Sequence, residues 1–302
     1  MTDIATPQLE RQGVVYVATG RKYYDEACIS VRSLKASNRL RAAIFTDQPQ
    51  PDPHFDIHIP VKSTGDGFLD KVVNLKGSPF EQTLFLDTDT FVCSDLTDLF
   101  SLLEHFDLAV AHDHLVREVY PVAGVPQAFP EFNTGVLLFR NNQAGRTLLD
   151  EWVETFRKEK ELFSRKKVTG KGFPDQPPFR KAVYASNLRI ATLPPEYNCM
   201  FRYAGSVVGE VKILHCARIG YGWYTYENLQ CTARLLNSRQ TARVFCNGEL
   251  FAFQRKARAF LPSLLDSYEQ ARIGRLFPRL WQRRFGRLMK KLFGSTTPVK
   301  GR

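Results

Sequence analysis

Two aspartates one residue apart, Asp87 and Asp89, follow the apolar run Leu84-Phe85-Leu86. Side chains two residues apart on an extended backbone point to the same side, so these carboxylates can converge on one point. Two anions held that close repel each other unless a cation or a shared proton compensates. Mg²⁺ and Mn²⁺ bind oxygen ligands of this kind and commonly hold phosphates as well. The D-x-D stretch therefore indicates a divalent-metal site, and helix capping by the aspartates is its structural alternative.

Two other phosphate chemistries also use an aspartate at the end of a strand. A Walker-B strand ends in this way, but the sequence contains no G-x-x-x-x-G-K-[ST], which argues against a P-loop nucleotidase. Haloacid-dehalogenase-like phosphatases use D-x-D-x-[TV], with the first aspartate as nucleophile. Here Phe91 stands at the last position, and several strands precede a motif that opens the fold in that family. Such a phosphatase is the alternative enzymatic interpretation.

The elements that must position these aspartates alternate along the chain. β-branched and apolar runs predict strands, and apolar residues at helical spacing predict helices. Strands are expected near 14–19, 42–45, 83–87, 107–112, 135–139, 189–193 and 211–215, and helices near 24–38, 68–75, 96–105 and 145–163. This alternation predicts an α/β fold with a mostly parallel, doubly wound sheet. We expect one catalytic domain, residues 1–255, followed by a tail, residues 256–302.

The composition restricts the class of protein. Of the 302 residues, 43% are apolar and 24% charged, which suffices for a full core and argues against disorder. The six cysteines are scattered without a C-x-x-C pair, which favours a reducing compartment over disulfides or zinc. The sequence starts without an apolar signal region and has no run of 18 apolar residues. We therefore expect a cytoplasmic protein.

Four further blocks follow the D-x-D stretch in a fixed order. They are Phe132-Asn133-Thr134-Gly135, Asp175-Gln176, the LPPEYN stretch at 193–198, and Ile213-Leu214-His215. Together with LFLDTDTFVCSDLTDLF, and over residues 14 to 223, they resemble glycosyltransferase family 8, the family of glycogenin and of bacterial lipooligosaccharide galactosyltransferases. The resemblance implies a GT-A-type nucleotide-diphospho-sugar transferase fold, a UDP-sugar donor and a Mn²⁺ or Mg²⁺ cofactor. It also implies hexose transfer with retention, to a saccharide, lipid-linked saccharide or protein acceptor.

The same resemblance assigns roles to individual residues. Asp87, Asp89 and His215 match the family's metal ligands, and mixed carboxylate and imidazole ligation suits Mn²⁺ better than Mg²⁺. Lys71 matches a lysine that reaches the donor's phosphates and sugar. Asp175 and Gln176 match the residues beside the anomeric carbon, where one of them acts as nucleophile or stabilises an oxocarbenium-like centre. The residues implied in nucleotide-sugar binding are Ala18, Thr19, Tyr23, Lys71, Asp87, Thr88, Asp89, Asn133, Thr134, Gly135 and Arg218.

Each of these residues could instead have a purely structural role. Lys71 would then be a solvated helix lysine, Tyr23 would pack within a loop, Asn133 would belong to a plain turn, and Asp175 would be a loop aspartate. A tyrosine ring suits a uridine because every base offers a π face for stacking. The stretch HCARIGYGW, residues 215–223, departs from the family pattern H-x-x-G-x-x-K-P-W. Arg218 can replace the missing lysine as a bidentate phosphate ligand. The departure also leaves open a catalytically degenerate nucleotide-sugar-binding protein.

The positive charge is concentrated at the C-terminus. Residues 271–302 contain ten Lys and Arg and no Asp or Glu, so removing ten from the net +11 leaves about +1 for the rest. Apolar residues from Leu276 to Phe293 recur along one helical face, with basic residues opposite. This pattern is typical of a basic amphipathic helix at an anionic membrane surface, here the inner face of the membrane. A helix docked on the protein's own core is the alternative, and no nucleic-acid partner is expected.

Overall fold

A computed structural model describes residues 10–49, 52–113, 122–165, 173–215, 224–238 and 241–252. The strands are β1 (Glu10–Ala18), β2 (Arg41–Thr46), β3 (Ile57–Pro60), β4 (Phe80–Leu86), β5 (Thr90–Val92), β6 (Leu108–His112), β7 (Phe132–Arg140), β8 (Ile190–Leu193), β9 (Cys199–Met200), β10 (Gly205–Val207), β11 (Ile213–His215), β12 (Arg243–Cys246) and β13 (Glu249–Ala252). The helices are α1 (Arg21–Ser37), α2 (Gly67–Leu75), α3 (Gln143–Arg165), α4 (Gln176–Ala185) and α5 (Tyr226–Asn237). Thr97–Glu104 and Pro195–Tyr197 form 3₁₀ turns.

The main sheet has seven strands in the order β3-β2-β1-β4-β7-β6-β8. Six of them run parallel, and β7 is antiparallel to both of its neighbours, β4 and β6. The sequence-based prediction of a mostly parallel α/β sheet is therefore confirmed. The reversed direction of β7 was not predicted, because a strand buried on both faces has the same apolar sequence in either direction.

Two apolar layers enclose the sheet, one on each face. In β1, Val14 and Tyr16 pack into one layer and Val15 into the other, as expected for a strand whose side chains alternate. The first layer is completed by α1 and by residues 96–103, and the second by α2, α3 and α4. Both faces of β1 are thus covered, which explains its unbroken apolar sequence.

The chain changes direction across the sheet between β1 and β4. From β1 it moves outward to β2 and β3 on one side, and it returns to add β4 on the other side. Open α/β sheets bind ligands in the crevice outside the carboxyl ends of the strands at such a switch point. We therefore expect a ligand between the residues that follow β1, beginning at Thr19, and those that follow β4, beginning at Asp87.

Two small sheets and two helices were not predicted. One small sheet has the order β5-β11-β9 and the other β10-β12-β13. One of these helices, α4, begins at Gln176 with prolines in its first turn, directly after Asp175, for which a loop position was the structural alternative. Proline is accepted there because the first helical N–H groups have no partner within the helix.

The chain divides into two units between Leu250 and Phe251. Of the second unit, the structure describes only the last two residues of β13. The boundary at 255/256 and the amphipathic tail therefore stay predictions that lie outside the described residues. Among the residues that are described, no helix is long and apolar enough to cross a membrane.

Candidate functional site

The acidic pair lies in a tight turn immediately after β4. The Asp87 N–H donates to the Gly135 carbonyl at 2.8 Å, and the Thr90 hydroxyl donates to the Asp87 carbonyl at 2.8 Å. Thr90 begins β5 and is paired with His215 at the end of β11. Through this pairing, ligand atoms of Asp87, Asp89 and His215 all lie within 4.8 Å of one another. The three residues implied as metal ligands are thus brought together by the sheet register.

His215 is held in one orientation by a chain of amides. Its Nδ1 lies 2.7 Å from Asn198 Oδ1, and Asn198 Nδ2 donates to Asn133 Oδ1 at 2.9 Å. Because an amide oxygen only accepts, Nδ1 carries the proton of the neutral imidazole. Nε2 then presents its lone pair toward the carboxylates, at 3.7 Å from Asp87 Oδ2 and 3.4 Å from Asp89 Oδ1. Such an outer partner fixes the tautomer that a metal ligand requires.

Gly135 leaves the space that these ligands occupy. A Cβ at this position would lie 2.1 Å from His215 Cε1 and 2.9 Å from Asp87 Oδ2. The backbone is also fixed on both sides, because the Gly135 N–H donates to Asn133 Oδ1 at 3.0 Å and its carbonyl accepts from Asp87. The glycine is therefore required by the close approach of backbone and side chains.

Lys71 joins the acidic pair to the third carboxylate of the site. Its buried Nζ lies 3.0 Å from Asp87 Oδ1, 2.9 Å from Asp175 Oδ2 and 3.1 Å from Thr134 Oγ1. Burial alone would lower the pKa of Lys71, but attraction to Asp175 and Asp87 outweighs it and raises the pKa. For Asp87, burial raises the pKa although the charge of Lys71 acts in the opposite direction.

Asp175 and Gln176 stand side by side at the start of α4. Asp175 is buried, and it accepts from the Thr134 hydroxyl at 2.8 Å through Oδ2 and from Trp152 Nε1 at 2.9 Å through its carbonyl. The side chain of Gln176 accepts from Asn133 Nδ2 at 3.2 Å and donates to Asp113 Oδ2 at 2.8 Å. Both side chains are therefore fixed by hydrogen bonds before any substrate binds.

Two residues of this network were not identified from the sequence. Asp113 follows β6, and its place at the carboxyl end of a strand is the signal that would have found it. Asn198 belongs to the quoted LPPEYN block, but its contact with His215 depends on the pairing of β9 with β11. Such contacts between distant segments have no local sequence signature.

The residues predicted for the nucleoside surround the end of β1. Ala18 ends the strand, and the Thr19 hydroxyl donates to Asp70 Oδ2 at 2.6 Å, beside Lys71 in α2. Tyr23 exposes 43% of its surface in the first turn of α1, so its ring is available for stacking. The Thr88 hydroxyl is buried and donates to Glu26 Oε2 at 3.2 Å. Arg218 lies outside the described residues, and its role stays a prediction.

Comparison with known proteins relates this site to one family. The family model described as Glycosyl transferase family 8 matches residues 75–215. No curated protein sequence matches the chain. Among solved structures, the galactosyltransferase LgtC, in complex with donor and acceptor sugar analogues, is 15% identical. The match covers 76% of this chain and 96% of the LgtC chain, with a TM-score of 0.52.

A second solved structure matches over a shorter stretch. The glycosyltransferase GlyE of Streptococcus pneumoniae TIGR4 is 22% identical with a TM-score of 0.44, and the match covers 62% of this chain and 46% of GlyE. This chain thus spans less than half of GlyE but almost all of LgtC. The GT-A-type fold predicted from the sequence is confirmed, and over residues 75–215 the chain resembles the glycosyltransferases of family 8.

Proposed function

We propose that the protein transfers a hexose from a UDP-sugar to a saccharide, a lipid-linked saccharide or a protein, with retention of anomeric configuration. The observation that carries the proposal is the convergence of Asp87, Asp89 and His215 within 4.8 Å at the ligand crevice of the sheet. The family match over residues 75–215 supports the reaction class. The choice of UDP and of a hexose rests on the sequence resemblance.

The residues present suit a divalent cation, and we infer Mn²⁺ from the mixed ligand set. Two carboxylates and an imidazole turned toward them by Asn198 offer oxygen and nitrogen donors. Gly135 supports this fit, since any larger residue would fill the space beside His215 and Asp87. A bound cation would supply positive charge to the departing diphosphate and so stabilise the transition state.

The contacts of Lys71, Asp175 and Gln176 indicate a different role for each of them. Lys71 contributes a second, permanent positive charge between Asp87 and Asp175, where a diphosphate bound at the acidic pair would be within its reach. Asp175 is already neutralised by Lys71 and accepts from Thr134, which favours a role in holding the lysine over attack on the sugar. Gln176, fixed between Asn133 and Asp113, is the better candidate to face the anomeric carbon.

Nucleotide binding tests the donor site directly. We expect UDP at a hundredfold excess over its dissociation constant to stabilise the protein by about 2.7 kcal/mol, and only with Mn²⁺ present. That free energy raises the melting temperature by about 5 °C in a protein of this size. Asp89→Asn should abolish the shift, whereas Asp150→Asn, in an exposed pair with Lys76, should retain it. Stabilisation by UDP without metal, or equally in Asp89→Asn, would contradict the proposed site.

Donor hydrolysis separates an enzyme from a binding protein. With UDP-glucose and UDP-galactose as probes, slow release of UDP is expected even without an acceptor. Nuclear magnetic resonance of the first sugar released reports whether the anomeric configuration is retained. Metal-dependent UDP binding without turnover of either donor would favour the catalytically degenerate alternative.

We also propose that residues 271–302 attach the protein to an anionic membrane surface. The support is sequence composition: ten basic and no acidic residues beside an apolar helical face. Each basic residue near such a surface contributes about 1 kcal/mol. Removing residues 271–302 should abolish sedimentation with phosphatidylglycerol-containing vesicles and leave the UDP-dependent thermal shift intact. Equal sedimentation of the full and truncated chains would refute this role.

A further inference from the structure

Part of the buried surface of α1 is polar. Glu26, Ser30 and Ser33 are 7%, 0% and 1% exposed. Their spacing of four and three residues places them on one side of the helix. Apolar residues of the same helix, such as Ala27 and Val31, pack into the first layer against the sheet. The three polar side chains form the polar stripe of α1, and each of them needs a hydrogen-bond partner inside the protein.

Each residue of the polar stripe has a partner in the chain segment that carries the acidic pair. Three hydrogen bonds join the stripe to alternate residues of this segment: Glu26 with the Thr88 hydroxyl at 3.2 Å, Ser30 with the Thr90 hydroxyl at 2.8 Å, and Ser33 with the Val92 N–H at 2.8 Å. Three to four residues of a helix rise about 5–6 Å, and two residues of an extended chain span about 6.6 Å. The repeat of α1 therefore matches that of the segment, and the helix holds residues 88–92 in one register.

These hydrogen bonds reach the metal-binding group through its neighbours in the sequence. Thr88 separates Asp87 from Asp89, and Thr90 follows directly. The Thr90 hydroxyl also donates to the Asp87 carbonyl at 2.8 Å. The first two hydrogen bonds of the polar stripe therefore act on both neighbours of Asp89, whereas the third, made by Ser33, acts three residues beyond it.

We propose that Glu26 and Ser30 are positioning residues that set the geometry of the turn carrying the acidic pair, and thereby the affinity for the cation. The inference rests on the proposed function, since it assumes a divalent cation at the group of Asp87, Asp89 and His215. Both positioning residues act through the threonines beside Asp89 and supply no ligand in this account. Ligand distances in metal sites vary by only about 0.2 Å, so a small shift of the turn weakens binding.

The two buried serines of the polar stripe form a matched pair for the test. Ser30→Ala removes a partner of Thr90, and Ser33→Ala removes the partner of the Val92 N–H. Each variant loses a buried hydrogen bond, so without metal each should melt about 2–4 °C below the wild type. In calorimetric titration with Mn²⁺, we expect the affinity to be about tenfold lower in Ser30→Ala and unchanged in Ser33→Ala. A purely structural role of the stripe would give both variants the same Mn²⁺ affinity.

A second pair of variants tests Glu26, and it decides the question even if Ser30→Ala does not fold. Glu26→Ala removes the oxygen that accepts from the Thr88 hydroxyl and should also weaken Mn²⁺ binding about tenfold. Glu26→Gln keeps an oxygen that can accept, so it should bind Mn²⁺ as the wild type does. A wild-type protein that does not bind Mn²⁺ refutes the proposed metal site, and the inference with it. Wild-type binding that persists in Ser30→Ala and Glu26→Ala, that falls equally in Ser33→Ala, or that is as weak in Glu26→Gln as in Glu26→Ala overturns the inference alone.

Discussion

Gly135→Ala should separate metal binding from folding. The added Cβ would lie 2.1 Å from His215 Cε1 and 2.7 Å from its Nε2. Carbon contacts below 3.0 Å are essentially absent from real structures, so the imidazole or the backbone must move by about 1 Å. Metal sites tolerate departures of only about 0.2 Å in ligand distance. The substitution thus displaces a ligand by several times the tolerance of the site.

Neither neighbour of the new methyl group can yield easily. The backbone of Gly135 is held by its hydrogen bonds to Asn133 and Asp87. His215 is 2% exposed and is held through Nδ1 by Asn198. Overpacking of this kind costs about 1–3 kcal/mol of stability, which a domain of typical stability survives. We therefore expect a folded protein whose Mn²⁺ affinity is reduced by about 10- to 100-fold, the effect of disturbing a ligand's support.

Calorimetric titration with Mn²⁺ measures this loss, and circular dichroism confirms that the variant is folded. Gly67→Ala is the matched control, because it adds the same methyl group at a helix start with no atom within 4 Å. It should bind Mn²⁺ as the wild type does. If folded Gly135→Ala also binds Mn²⁺ with wild-type affinity, the metal is not held between Asp87 and His215.

Three other changes test the surroundings of the site. Lys71→Met leaves Asp87 and Asp175 without their buried cation. The free energy of unfolding, measured by thermal or urea denaturation, should therefore fall by about 3–5 kcal/mol. An unchanged unfolding midpoint would mean that the two carboxylates are protonated or solvated. Asn198→Ala removes the partner of His215 Nδ1 and should weaken Mn²⁺ binding, measured by calorimetry, about 10- to 100-fold in a protein that circular dichroism shows to be folded. Wild-type Mn²⁺ affinity in this variant would mean that Asn198 does not orient a metal ligand. Burial raises the pKa of Glu131 from 4.5 to about 7. The folded protein therefore holds the proton more tightly than the unfolded chain does, which adds to the free energy of unfolding at low pH. This added stability is lost as the pH rises from about 4.5 through about 7. Glu131→Gln should flatten that decline in melting temperature between pH 5 and pH 8, and an unaltered pH profile would show that Glu131 does not titrate there.

The positions of Asp87, Asp89 and His215 at strand ends could be predicted, because they depend on the residues that precede them directly in the sequence. Asp87 and Asp89 follow an apolar run, and a strand places side chains two residues apart on one side. His215 also ends a strand, and its place in an ordered set of blocks carried the assignment. The structure brings all three together through the pairing of β5 with β11.

Contacts that depend on how distant strands are arranged could not be predicted. Lys71 and Asp175 are far apart in sequence, and their ion pair exists because α2 and α4 both lie on the same face of the sheet. Helix α4 was not predicted, because Pro177 and Pro178 interrupt the helical pattern although proline is compatible with the first helical turn. The hydrogen bond from Thr19 to Asp70 was likewise not predicted, since Asp70 comes from a separate helix.

The charges around Lys71 have a consequence for the order in which ligands arrive. Asp87, Asp89 and Asp175 contribute three negative charges and Lys71 one positive charge, so these groups together carry −2 when His215 is neutral. A diphosphate approaching them meets repulsion, whereas a divalent cation brings their sum to zero. Binding should therefore be sequential, with the cation entering first or together with the nucleotide and the nucleotide leaving first. Under the proposed function, release of the nucleotide diphosphate would then be governed by how quickly it parts from a cation held by Asp87, Asp89 and His215.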